Sequence, residues 1–284
     1  MQELRGLGAI AARYDAVLSD IWGVVHNGVR AHPLAVEALV AYRRQGGRVV
    51  LISNAPRPKG PIIAMMDGFG VPREAYDEVV TSGDATRVIL ARYRGQTVHY
   101  VGPPRDNDSL FEGLDITLGS AQEARAVVVT DLDTDDDTPD MYNDRITVWL
   151  SRNLPLIAAN PDRVVEHGDR LIYCGGALAD LYEARGGMII MVGKPYKPIY
   201  TEALRLAEEA AGTPLDRTRI LAIGDSVRTD AIGAAGAGLD LLFVTGSIHA
   251  AELDAFGNPD PDAVRRLVEP SGANVAGFMP RLAW

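Results

Sequence analysis

Short apolar runs rich in β-branched residues recur along the chain, and several stop abruptly at a polar residue: AVLSD at Asp20, RVVLIS at Ser53, IIMVGK at Lys194 and ILAIGD at Asp225. Runs of this length without polar alternation read as strands buried on both faces. Helical spacing of apolar positions follows in AVEALVAYRRQ, PIYTEALRLAEEAA and TDAIGAAGAG. Strands alternating with helices predict an α/β fold built on a doubly wound, Rossmann-like parallel sheet. In open sheets of this type ligands sit outside the carboxyl ends of the strands. Asp20, Ser53, Lys194 and Asp225 are therefore expected to converge on one site.

Between Ser53 and Lys194 the chain is too long for a simple crossover and has its own strand candidates, TVHYVG, AVVVTDL and LPLIAAN. A second, inserted α/β domain is expected at about residues 84–188, leaving 1–83 and 189–284 as the core. The final GANVAGFMPRLAW shows no clear periodicity and reads as a packed tail.

Composition narrows the function. With 28 Lys+Arg against 38 Asp+Glu the formal charge is −10, which repels a phosphodiester backbone and anionic lipid alike; no nucleic acid or membrane partner is expected. The single cysteine, Cys174, excludes an internal disulfide and a four-thiolate zinc site. MQELRGLGAIAARYD is too charged for a secretory segment, and no apolar run is long enough to span a bilayer. A cytoplasmic protein is the expectation.

Asp20 at a strand end could be a nucleophile, a metal ligand or a turn cap. Gly224-Asp225-Ser226-Val227-Arg228-Thr229-Asp230 places two carboxylates about a turn that opens a helix, a geometry suited to a hard cation or, alternatively, to a helix N-cap. Ser53-Asn54 offers a hydroxyl and amides to an anion. Lys194, between Gly193 and Pro195, is held at a strand end outside any continuing helix.

Taken in order, Asp20-x-Trp-Gly-Val-Val, Leu51-Ile-Ser-Asn, Val192-Gly-Lys-Pro and Gly224-Asp-Ser-x-x-Thr-Asp resemble the four motifs of the haloacid dehalogenase superfamily of aspartate-nucleophile hydrolases. The long insert, with Tyr100-Val101-Gly102, Ala159-Asn160-Pro161-Asp162 and Gly175-Gly176-Ala177-Leu178, resembles the large cap of its class IIA. That group includes nucleotide, sugar, p-nitrophenyl and pyridoxal phosphate phosphatases. The resemblance implies that Asp20 attacks phosphorus. It implies Mg²⁺ held by Asp20, Asp225 and the backbone carbonyl of Trp22, with Asp230 bonding to the ligand shell. Ser53, the amide of Asn54 and Lys194 would hold the phosphoryl oxygens. Asn160, Asp162, Arg163 and His167 fall in the cap segment that would read the leaving group of a small phosphorylated metabolite. Caps of this kind often pair, so a homodimer through the cap is expected.

One position departs from the pattern. The superfamily's phosphatases carry a second aspartate two residues after the nucleophile, which protonates the leaving oxygen; here it is Trp22. An indole donates a hydrogen bond but does not cycle a proton near neutral pH, and such groups contribute roughly a hundred- to ten-thousand-fold in rate. The first reading is a phosphatase with restricted leaving groups or another acid, His26 being the nearest candidate. The second is a catalytically weakened protein that binds a phosphorylated metabolite as sensor or partner. A third, carbon–halogen chemistry, is opposed by Asp225 and Asp230, which would hinder departure of a halide. The DLDTDDDTPD stretch at 131–140 lacks the ligand pattern of an EF-hand and reads as a solvated acidic loop.

Overall fold

The computed structural model describes residues 1–256 and 259–284, and of residues 105–108 the backbone alone. In chain order the strands are β1 (Ala16–Asp20), β2 (Arg48–Ser53), β3 (Glu78–Thr81), β4 (Gln96–Val101), β5 (Ile116–Leu118), β6 (Val127–Val129), β7 (Leu156–Ala158), β8 (Val164–His167), β9 (Arg170–Tyr173), β10 (Ile189–Met191), β11 (Ile220–Gly224), β12 (Asp240–Val244) and β13 (Asn274–Met279). Six of them form a parallel sheet in the order β13-β12-β11-β1-β2-β3.

Period-two alternation divides these strands between two apolar layers. Val17, Val49, Leu51, Leu221 and Ile223 pack with Leu39, Tyr42, Ile62 and Met66 from helices Pro33–Arg44 and Lys59–Gly68. Ala16, Leu18, Val50, Ile52, Ile220 and Ala222 pack on the opposite face with Ile199, Tyr200, Ala203 and Leu204 of helix Lys197–Ala211. Burial of both faces is what makes the runs continuously apolar, as the sequence pattern implies. The chain winds outward from β1 through β2 and β3, and from β11 through β12 and β13. The switch point therefore lies between β1 and β11.

A second parallel sheet, β10-β7-β6-β4-β5, forms the cap layer. Trp149, Tyr182 and Leu178 cover one face, and Leu90, Leu110 and Phe111 the other. One expectation is corrected here. The run IIMVGK reads as a core strand, yet Ile189–Met191 pairs with Leu156–Ala158 in the second sheet. An apolar run reports burial, not which sheet buries it. The tail, aperiodic in sequence, supplies the edge strand β13, whose Phe278 amide donates to the carbonyl of Gln2 and whose Phe278 carbonyl accepts from the amide of Leu4. The antiparallel hairpin β8–β9 projects from the cap toward the core. Among the described residues no helix is long and apolar enough to cross a membrane.

Candidate active site

Because β11, β1 and β2 are parallel neighbours, their carboxyl ends bring Asp225, Asp20 and Ser53 side by side. Lys194 arrives from the second sheet, three residues beyond β10. Its ammonium is buried and donates to Asp20 Oδ1 at 2.5 Å and to Asp230 Oδ1 at 2.6 Å. Its backbone is held as well: the amide donates to Asn54 Oδ1 at 2.7 Å. The sequence reading assigns Lys194 to phosphoryl oxygens and the Asp20 carboxylate to a metal ion. In the structure the lysine itself lies against that carboxylate.

Asp230 reaches the cluster through a wide turn. The amide of Ala231 donates to the carbonyl of Ser226, five residues back, before helix Ile232–Ala237 begins; such π-type turns recur at functional sites. The amide of Ser226 donates to Asp230 Oδ2 at 3.1 Å. Gly224 has a steric cause, since a Cβ there would lie 2.1 Å from Asp230 Cγ. Gly23, at φ +93°, likewise leaves room for Asp225, whose Oδ2 would sit 2.2 Å from any Cβ.

Among the described residues, carboxylate oxygens of Asp20, Asp225 and Asp230 lie within 4.8 Å of one another, all three buried. Burial, followed by the neighbouring Asp230, pushes Asp225 up to about 7. Burial also pushes Asp20 upward, against the pull of Lys194 and with the push of Asp230 and Asp225. For Lys194 burial works against the ammonium, but Asp20, Asp230 and Asp162 outweigh it and hold the lysine charged. Three carboxylates face one ammonium, a formal deficit of two positive charges.

A cleft between the sheets is lined by Asp20, Trp22, Ser53, Asn54, Asn160, Asp162 and His167, and a second cavity that shares Asp20, Trp22 and Asp162 with it is lined by Lys194, Asp225 and Asp230. Asn54 Nδ2 donates to Asp162 Oδ1 at 2.9 Å, joining core to cap, and burial raises Asp162 to about 6. Asn160 donates to Asp131 Oδ1 and accepts from the amide of Asp162. His167 Nδ1 lies 3.0 Å from Asp135. Arg163 does not join them; its guanidinium pairs with Asp180.

Trp22 acts structurally as well as lining the cleft. Its indole N–H donates to the backbone carbonyl of Glu166 in β8, and its ring meets His167 edge-on at 6.1 Å. Around it the hairpin is fastened further. The amide of Gly168 donates to the carbonyl of Asn27, Arg281 pairs with Glu166, and Ser247 donates to the same carboxylate. The tail thus helps hold the cap through Arg281. His26 does not serve as the replacement acid. Its Nδ1 accepts from the amide of Gly28, and burial, then the nearby His32 and Arg57, lowers it to about 3. It is a neutral, buried ring that does not line the cleft.

The acidic stretch is the largely exposed loop expected, and several of its carboxylates are engaged. Asp133 accepts from the amide of Gly102 and pairs with Arg145, while Asp137 accepts from Thr134 and Tyr142. Asp131 and Asp135 face the cleft. Sequence reasoning missed them, although the strand-end rule applied to AVVVTD would have found Asp131. Cys174 is buried, its thiol pushed up by burial, consistent with a packing residue.

A parallel sheet whose switch point holds a buried carboxylate, a lysine and two further carboxylates defines a class of α/β enzyme that works at strand ends. Residues 17–116 match the family described as haloacid dehalogenase-like hydrolase, and residues 191–269 match a second haloacid-dehalogenase hydrolase-like model. A crystal structure of a haloacid dehalogenase-like hydrolase from Brucella suis 1330 is 42% identical, covers 99% of this chain and 100% of that one, and superposes with a TM-score of 0.87. Ribonucleotide monophosphatase NagD of Escherichia coli (strain K12) is 28% identical over 82% of this chain and 88% of its own length. Glycerol phosphate phosphatase Rv1692 from Mycobacterium tuberculosis, solved in complex with calcium, is 26% identical over 87% of this chain and 70% of that one, with a TM-score of 0.62. The chain belongs to the haloacid dehalogenase-like hydrolases.

Proposed function

We propose that this chain is a Mg²⁺-dependent phosphatase of small phosphorylated metabolites with Asp20 as nucleophile. The single observation that carries the reading is the buried cluster in which Lys194 bridges Asp20 and Asp230 beside Asp225. The names of the Escherichia coli and Mycobacterium relatives, both phosphatases, support it. Asp20 attacks phosphorus, the bond to the leaving oxygen breaks, and water later cleaves the aspartyl phosphate. Ser53, the Asn54 amide and Lys194 hold the phosphoryl oxygens.

The donor set fits a hard divalent cation, since it offers oxygens and a deficit of positive charge. Asp20, Asp225 and the backbone carbonyl of Trp22 would hold it, with Asp230 in the surrounding shell. When bound, the ion supplies charge that offsets the repulsion between a carboxylate and a phosphate dianion. In the folded protein Asp225 titrates near 7 against an ordinary 3.8. Between those values the folded state keeps a proton that the unfolded chain has lost, so this contribution to stability falls as pH rises through that window. Mg²⁺ takes the proton's place, so the rise in Tm on adding millimolar Mg²⁺ should be larger at pH 8 than at pH 5.5. Equal rises by calorimetry would argue against binding at this cluster.

We also propose that the cap, expected over residues 84–188 and extended to include β10, opens on the core to admit substrate.

Proton supply limits the reaction in this reading. The Trp22 indole N–H is engaged by Glu166, and His26 is neutral and buried. Aryl and acyl phosphates, whose leaving groups need no proton, should turn over at least about a hundredfold faster than alkyl phosphates. A rate independent of leaving-group pKa would refute this. The same engagement of Trp22 favours a second reading, a metabolite-binding protein with residual catalysis; Mg²⁺-dependent binding of one phosphate ester without hydrolysis of any would select it.

A further inference from the structure

What leaving group does the cleft accept? The cap roof brings Asp131, Asp135 and Asp162 to the same cleft that opens on Asp20. Against them the described lining offers one guanidinium, Arg57. That charge lies on the core wall, close enough to His26 to help depress its titration. Arg163, in the cap segment expected to read the leaving group, pairs with Asp180 instead. His167 faces the cleft with Asp135 already at its Nδ1. The hairpin roof is fastened over the cleft by Trp22, Asn27 and Arg281.

We infer that, on the phosphatase reading above, the substrate is a monoester whose leaving group carries no second anion and presents hydroxyl or ammonium hydrogens to the cap carboxylates. A second phosphate or a carboxylate would have to sit among Asp131, Asp135 and Asp162, where like charge in a partly dry cleft repels it. Hydroxyl or ammonium donors are what carboxylate acceptors select.

The test compares matched esters with the full chain and Mg²⁺: glycerol phosphate and ethanolamine phosphate against phosphoglycerate and phosphoglycolate. The expected result is a kcat/KM ratio of about 100 or more in favour of the first pair, which corresponds to ~2.7 kcal/mol. Asp135→Asn, which removes a charge at nearly constant size, should shrink that ratio about tenfold. Equal turnover, or preference for the carboxylated esters, would overturn the inference while leaving a phosphatase in place. If none of these alkyl esters is hydrolysed, turnover of an aryl phosphate decides the phosphatase reading, and thermal stabilisation by the same four compounds with Mg²⁺ decides the inference separately. Stabilisation by the first pair alone upholds it; equal stabilisation, or none, removes it.

Discussion

Asp20→Asn should reduce turnover of every phosphate ester by about four orders of magnitude or more, ~5.4 kcal/mol in the barrier. The reason is chemical. An amide oxygen is a poor nucleophile toward phosphorus, and no other described carboxylate both ends a core strand and is bonded to Lys194 there, Asp230 reaching the lysine from a turn. The fold should persist, because the backbone of β1 is held by its ladders to β2 and β11. The check is initial-rate kinetics on an aryl phosphate together with circular dichroism of the variant. Activity within tenfold of the natural protein would remove covalent catalysis from the account.

Lys194→Met should act on stability as strongly as Asp20→Asn acts on rate. The Lys194 side chain is 2% exposed, and its ammonium bridges two carboxylates that are themselves buried. Removing one partner of a buried ion pair leaves uncompensated charge and typically costs about 3–5 kcal/mol. The loss measured by urea unfolding should be largest above pH 7, where Asp225 ionises, and should shrink toward pH 5 as protons replace the missing cation. Millimolar Mg²⁺ should restore part of it. A loss below about 1 kcal/mol at pH 8 without metal would mean that the cluster does not depend on Lys194 for its charge balance.

How much of this was legible in the sequence differs from residue to residue. Asp20, Ser53 and Asp225 each end or follow a buried apolar run, so a rule about strand ends locates them. Lys194 was located by the same rule for a partly wrong reason: its preceding strand belongs to the cap sheet, and the chain between Met191 and Lys194 carries it back to the core. Arg163 was singled out for its charge and its neighbourhood, but a charge near a cleft in sequence need not face it, and Asp180 holds it elsewhere. The acidic stretch reads as a solvated loop, and the pattern of its carboxylates does not tell which of them face the cleft. Their partners include Gly102, Arg145, His167 and Gly175, up to 44 residues away.

The sequence by itself determined the layered α/β architecture and the three chemical groups at core strand ends, Asp20, Ser53 and Asp225, because continuous apolar runs and their stops are local and follow from burial on both faces. The resemblance of the first motif implies that Trp22 stands where a proton donor is expected. Only the tertiary structure decided that the indole fastens β8 through Glu166, that His26 is buried and neutral, and that the roof of the cleft is acidic. The physical reason is range. Apolar patterning is set by neighbours within a few residues, whereas the Trp22–Glu166 bond spans 144 residues and the Lys194–Asp20 bond 174. Contacts of that separation exist only once both sheets have packed, and they decide what each polar group is free to do.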